Sequence, residues 1–273
     1  MNKKPTISII IPTLNEEKFL PKLLDSLAGQ QDKDFEVIVV DGASGDKTVE
    51  VAQSYIKKVP HLTIIQAEKP GVSYQKNLGA SRATGEWLLF VDADVILYPY
   101  SIERMRAYIA ERNLEFFTPW FSPDASITSD VAVSLVTLGV YEGSLMVKKP
   151  LAAVVVGVKK SLFDRMGGYD ESRTFGEDYD LTQKLKMIGI SLSIIRETLY
   201  IHSFRRYRAQ GRMKYFQAYA KAILSVLITS QSPRQIKGYE LGGQIYRNKK
   251  RPTRSVLRIF QKGYKKLLKD MLS

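Results

Sequence analysis

The sequence predicts an α/β protein: a mostly parallel sheet flanked by helices, followed by a helical, basic C-terminal extension. Three observations carry this. Strand-like and helix-like stretches alternate four times before residue 100, the pattern that right-handed crossovers impose on a parallel sheet. The run from Glu86 to Asp94 (EWLLFVDAD) is apolar until it ends in two carboxylates, Asp92 and Asp94, spaced i and i+2. Thr13 with Asn15, Asp41, and Asp92 with Asp94 all lie just past the carboxyl ends of predicted strands, so three separate loops should converge on the sheet edge where open α/β folds bind ligands.

The elements follow in order. Thr6 to Pro12 (TISIIIP) reads as a buried first strand and Glu16 to Leu27 as a helix, with Asn15 suited to the N-cap and Glu16 and Glu17 to the positive end of the helix dipole. Phe35 to Asp41 is a second strand, and Gly42 to Asp46 a tight turn into a helix over 47–57. Leu62 to Ala67 is a third strand, Ser73 to Ala83 a helix stopped by Gly85, and 86–91 the central strand. Beyond residue 100 the pattern loosens: Ile102 to Ala110 helical, Phe116 to Trp120 extended, Asp130 to Tyr141 helical, Leu151 to Val158 an apolar strand. Gly167 and Gly168 make a turn, and Phe175 to Leu181 (FGEDYDL) opens a helix to about Ile188 with Glu177, Asp178 and Asp180 in its first turn. Carboxylates there complement the dipole and equally suit a general base at a helix entrance.

Composition narrows the class. With 273 residues, 44% apolar and 25% charged, the chain can bury one large core plus a small appendage. The absence of cysteine removes disulfides, thiolate metal sites and cysteine nucleophiles, and is compatible with a reducing cytosol. Pro12 and the acidic Asn15-Glu16-Glu17 interrupt any leader built on Ile7 to Ile11, and no stretch reaches the ~18 apolar residues of a membrane span. The net charge of +13 is uneven: residues 200–273 hold 18 Lys and Arg against Glu240 and Asp270, whereas the first 199 hold 23 basic and 26 acidic residues. Two carboxylates as close as Asp92 and Asp94 repel unless a cation neutralises them, and a divalent ion bridging to phosphate is their natural partner.

Ile9 to Glu16 (IIIPTLNE), Val40 to Thr48 (VDGASGDKT), Lys76-Asn77-Leu78-Gly79 with Gly85 to Asp94, and Met166 to Leu181 (MGGYDESRTFGEDYDL) together resemble, in order, the motifs of family 2 glycosyltransferases of the GT-A fold. The resemblance covers roughly residues 5–205. It implies a Rossmann-like catalytic domain over 1–205 with an extension over 206–273. It also implies transfer of a sugar from a UDP-, GDP- or dTDP-sugar to a glycan or lipid-linked acceptor, with inversion and with Mn²⁺ or Mg²⁺, in synthesis of cell-surface glycans or glycolipids. Residue by residue, Thr13, Asn15 and Glu16 would meet base and ribose, Asp41 would accept a hydrogen bond from the base, and Lys76 would approach the nucleotide. Asp92 would face the ribose and Asp94 would bind the metal, with His202 as a further ligand and Arg205 and Arg206 on the diphosphate. Asp178 would be the general base and Glu177 its neighbour toward acceptor or donor. The Gln-x-x-Arg-Trp motif of processive relatives is missing, which argues against a polymer synthase.

Residues 212–230 and 253–273 both read as helices. The second sets Val256, Phe260, Tyr264, Leu267, Leu268 and Met271 on one face among lysines and arginines, a pattern suited either to an anionic membrane surface or to packing on the catalytic domain. The expectation is a cytoplasmic enzyme, peripheral on the inner face of the membrane through 253–273. Two other classes compete. A nucleotidyltransferase would carry a glycine-rich loop after the first strand, and Pro12-Thr13-Leu14-Asn15 has no glycine. A nucleic-acid-binding protein would explain a pI near 9.6, but the charge sits in one tail, so no nucleic-acid partner is expected.

Overall fold

The computed structural model describes residues 6–125 and 128–210, together with 223, 225, 226, 229, 232–234 and 243. Both predicted C-terminal helices therefore fall mainly or wholly outside the described residues. One eight-stranded sheet organises the rest, in the order β3-β2-β1-β4-β7-β6-β8-β5. Its first half is the predicted one: β1 (Ile7–Thr13), α1 (Leu20–Ala28), β2 (Phe35–Asp41), α2 (Thr48–Gln53), β3 (Leu62–Gln66), α3 (Val72–Arg82) and β4 (Trp87–Val91). All four strands run parallel. They pack on both faces because every residue of β2 and β4 is buried, and side chains alternate sides with a period of two. Ile9, Ile11, Val37, Val39, Leu89 and Val91 meet the layer of α1, whereas Ile10, Ile38, Val40, Leu88 and Phe90 meet the layer of α3.

The second half is mixed. β5 (Ile96–Leu97) and α4 (Ser101–Arg112) lead to β6 (Phe116–Pro123) and α5 (Thr128–Met146). β7 (Val155–Lys159) then returns antiparallel beside β4, pairing Leu89 with Gly157. Gly157 is dictated by its other neighbour, since a Cβ there would lie 2.2 Å from Cζ of Phe117, its partner on β6. α6 (Lys160–Arg165), α7 (Glu177–Met187), β8 (Ser193–His202) and α8 (Arg205–Gln210) follow. β7 and β5 thus run against the first four strands, β6 and β8 with them.

Several boundaries differ from expectation, for local reasons. α1 begins at Leu20, not Glu16, because Asn15 adopts a left-handed φ of 57° and the Glu16 carbonyl already turns the chain by accepting from Phe19 and Leu20. Asn15 therefore caps no helix. α2 ends at Gln53 and continues as turns. Gly85 is not the stop of α3, whose C-cap is Ala83; a Cβ on Gly85 would sit 2.8 Å from the Ser8 backbone nitrogen, so glycine is set by close approach to β1. Only the second half of 151–158 is strand. β8 lies between β6 and the two-residue β5.

Candidate active site

The predicted loops do meet at one edge. Thr13 ends β1 and Asp41 ends β2 in register with it, and the Thr13 hydroxyl donates to Asp41 Oδ1 at 3.1 Å. Asp41 also accepts from the backbone NH and the hydroxyl of Ser44, so its carboxylate is buried and internally satisfied. Its visible task is to shape the turn after β2, in which Ala43 adopts a φ of 60°. Asn15 joins the two loops: its NH donates to the Ser44 hydroxyl and its Oδ1 accepts from the NH of Gly45. Behind them the buried Gln75 of α3 donates to the carbonyls of Thr13 and Val40 at 2.8 and 2.7 Å.

One step further, Glu16, Asp94 and Arg205 form a cluster. The guanidinium forks onto Glu16 at 2.6 and 2.7 Å, places its Nε 2.6 Å from Asp94, and lies 4.0 Å above the Phe19 ring. Burial raises the Glu16 carboxyl against the opposing pull of Arg205. His202, at the end of β8, packs edge-on against Phe121 and Phe204, and its Nδ1 has no hydrogen-bond partner among the described residues. Burial depresses its pKa, opposed by Asp94 and Asp124, so the ring is held neutral with a lone pair to give. Among the described residues no group of three His, Asp or Glu side chains is arranged to hold an ion. Asp94 and the orphaned Nδ1 are nonetheless the donor types that would suit a divalent ion, whose other ligands would have to come from outside the chain.

The second cluster surrounds Lys76, on the inward face of α3. Its ammonium is buried and lies 3.0 Å from both Glu177 Oε1 and Asp178 Oδ1, and 4.8 Å from the centre of the Tyr169 ring. The Tyr169 hydroxyl donates to the same Asp178 oxygen at 3.0 Å. Burial would hold Lys76 neutral, but the two carboxylates overcome it and keep the ammonium charged. Burial also opposes ionisation of both acids; Lys76 brings Glu177 below its usual value, while Asp178, crowded by Glu177, stays raised. Asp92 feels this cluster and Asp94 alike: burial pushes it to about 7, with Lys76 opposing and Asp94 adding to the shift.

Lys76, expected to approach the nucleotide, is paired in this structure with the two carboxylates at the head of α7. Spacing could not reveal this, since the partners lie 101 and 102 residues away. Two supporting residues were also missed. Asn77 grips Tyr169 through both its backbone NH and its carbonyl at 2.9 Å. Gly168, at φ 70°, permits that grip, because a Cβ would lie 2.6 Å from Asn77 Oδ1. The adjacent Gly167-Gly168-Tyr169 was the available signal. The C-terminal segment touches both loops: the NH groups of Thr174 and Phe175 donate to the Arg234 carbonyl and that of Gly243 to the Leu14 carbonyl.

Comparison with known proteins finds glycosyltransferases. The family model "Glycosyl transferase family 2" matches residues 8–126. An uncharacterized glycosyltransferase of Haemophilus influenzae is 32% identical over 187 residues, covering 66% of this chain and 61% of that protein. A PGL/p-HBAD biosynthesis glycosyltransferase of Mycobacterium tuberculosis is 32% identical over 182 residues, covering 64% of this chain and 68% of that protein. The crystal structure of Staphylococcus aureus TarS 1-349 in complex with UDP-GlcNAc superposes with a TM-score of 0.62 at 25% identity, over 73% of this chain and 59% of that one. The mixed sheet is that of the GT-A fold, and with motifs, relatives and topology in agreement the chain belongs to glycosyl transferase family 2.

Proposed function

We propose that this chain transfers a sugar from a nucleoside-diphosphate sugar to an acceptor hydroxyl, with inversion at the anomeric carbon. The observation that carries the reading is the Lys76–Glu177–Asp178 cluster at the same sheet edge as Asp92 and Asp94. Lys76 and Tyr169 both engage Oδ1 of Asp178, which leaves Oδ2 for an acceptor, and the side chain is 24% exposed. That oxygen takes the hydroxyl proton as the acceptor oxygen attacks the anomeric carbon. The bond from that carbon to the diphosphate oxygen breaks, and the nucleoside diphosphate leaves from the opposite face. One base suffices, since a single displacement needs no covalent intermediate. A raised Asp178 is a stronger base than an ordinary carboxylate.

On the donor side Thr13, Asn15, Glu16 and Asp41 form the nucleotide cradle, with Asp92 toward the ribose. Asp94 and His202 would hold Mn²⁺ or Mg²⁺, which would supply positive charge against the departing diphosphate. Arg205 swings from Asp94 to the phosphates, where Arg206, whose charge is felt by both Glu16 and Glu177, assists. The donor bound in the TarS structure, UDP-GlcNAc, makes uridine the first base to try. A lipid-linked or glycan acceptor and a cytoplasmic, membrane-peripheral location complete the reading.

Calorimetric titration of UDP, GDP and dTDP, with and without Mn²⁺, on wild type and Asp94→Ala tests it. Metal-dependent binding of one nucleotide, weakened in the variant, is the expected result. Failure of every nucleotide to bind under either condition would overturn the proposal. A product that retains the donor's anomeric configuration by proton NMR would overturn the single displacement alone.

A further inference from the structure

An exposed helix normally carries lysines and glutamates outward and apolar residues inward. α5 is apolar on both sides: Val133, Leu138 and Tyr141 pack on the core, and its outer side is apolar as well. Between Thr128 and Val147 its only charged residues are Asp130 and Glu142, and both are paired within the chain: Asp130 with Arg208, Glu142 with the exposed Arg196 and the Trp120 indole. The outer positions are Val131, Leu135, Val136, Gly139 and Met146, which share one face at 100° per residue. Leu135 is 63% exposed, Val136 59% and Met146 85%.

A second element is tied to its end. The Lys186 ammonium at the end of α7 donates to the Lys148 carbonyl, so α7, whose Met187 is also 85% exposed, is joined to the turn that follows Met146 and Val147. This lip is ringed by Lys148, Lys149 and Lys186, and no acidic residue occurs in 143–149 or 184–190. Among the described residues nothing covers either part. No helix among them is long and apolar enough to cross a membrane, so this helix would lie in an interface, not through it.

We infer that the outer face of α5 and the Met146–Met187 lip form a docking surface for an anionic lipid bilayer. The apolar side chains enter the acyl boundary while the three lysines stay at the phosphates, a division of labour that a protein partner does not require and a bilayer does. The surface is separate from the 253–273 segment; it rests on the membrane-peripheral part of the proposed function and not on its sugar transfer, and it adjoins the site: Arg208 ties Asp130, at the start of α5, to Asp124, which receives the Phe204 NH beside His202.

Co-sedimentation of the full chain with vesicles of phosphatidylcholine, with and without 30% phosphatidylglycerol by composition (about the anionic share that makes polybasic attraction measurable), tests the inference. Wild type should bind the anionic vesicles. Met146→Glu with Met187→Glu should weaken that binding roughly tenfold or more, the loss expected from keeping apolar side chains of this size out of the bilayer. Lys148→Ala with Lys186→Ala should weaken it roughly fivefold per lysine and reduce its salt dependence. Melting temperature and nucleotide binding should not change, which separates this inference from the proposed sugar transfer. Wild type that ignores vesicles, or a methionine variant that binds them as well as wild type, would overturn it. So would a dimer by light scattering that the Met146→Glu change converts to a monomer without altering vesicle binding, since the face would then be a contact between copies of the chain.

Discussion

Lys76 and Arg205 each draw two carboxylates together at the same sheet edge, yet they are held there differently. Lys76 leaves the middle of α3, a helix pressed so tightly on β1 and β2 that a Cβ on Gly79 would lie 2.5 Å from Ile10 Cγ2. Its ammonium is buried beneath Tyr169, and both of its partners come from the first turn of one helix. Arg205 stands at the start of the six-residue α8, after the last strand, and its partners come from two different loops. The difference is one of exchangeability. Lys76 is a fixed part of the fold that sets the charge of the proposed base, whereas Arg205 occupies the carboxylate that the proposed divalent ion would take over.

The sharpest test of the first cluster is the base itself. Asp178→Asn should lower the rate of sugar transfer by roughly 10²–10⁴, the usual contribution of a positioned base, with nucleotide affinity unchanged. Single-turnover transfer measures it, and a variant within a few-fold of wild type would remove Asp178 from the role. Removing the cations separates the clusters. Lys76→Met leaves two buried carboxylates facing each other and should cost about 3–5 kcal/mol of stability. Arg205→Met should also destabilise, but added Mn²⁺ should restore part of its melting temperature and none of that of Lys76→Met. Restoration of both, or of neither, would erase the distinction.

Next in size is the packing that fixes Lys76: Gly79→Ala should lower stability by roughly 1–3 kcal/mol through overpacking, read from denaturant melts. The smallest effect is the pH dependence of Asp92, which is partly exposed. Its folded value near 7 lies above the ordinary 3.8, so the folded state binds a proton that the unfolded chain has lost across that window. Its contribution is therefore full at acid pH and is lost as pH rises toward 7. Asp92→Asn should gain on wild type by about 2–4 °C in melting temperature between pH 5 and pH 8, the shift expected for ~1 kcal/mol. An equal difference at both pH values would show that Asp92 titrates normally.

The parallel half was legible because it is written locally. β2 is fully buried over the residues read as its strand, and α3 and β4 lie within a residue of expectation at their starts. The convergence of Thr13, Asp41 and Asp94 followed from those strands alone. The Asn15 loop was misread because residues of that type cap helices, and its real partners, Ser44, Gly45 and Thr48, sit on another loop. The antiparallel return of β7 was equally hidden, since a buried apolar run reads the same in either direction.

Hydrophobic period, turn residues and the ordered motifs thus determined the fold class, the sheet edge that carries the site and the candidate carboxylates, all properties of neighbouring residues. Tertiary structure alone decided what each charge does there: that Lys76 serves Asp178, that Arg205 bridges Glu16 and Asp94, and that α5 turns its apolar face outward. A charge's partner is set by distance in space, and folding brings within 3.0 Å groups that the chain separates by a hundred residues.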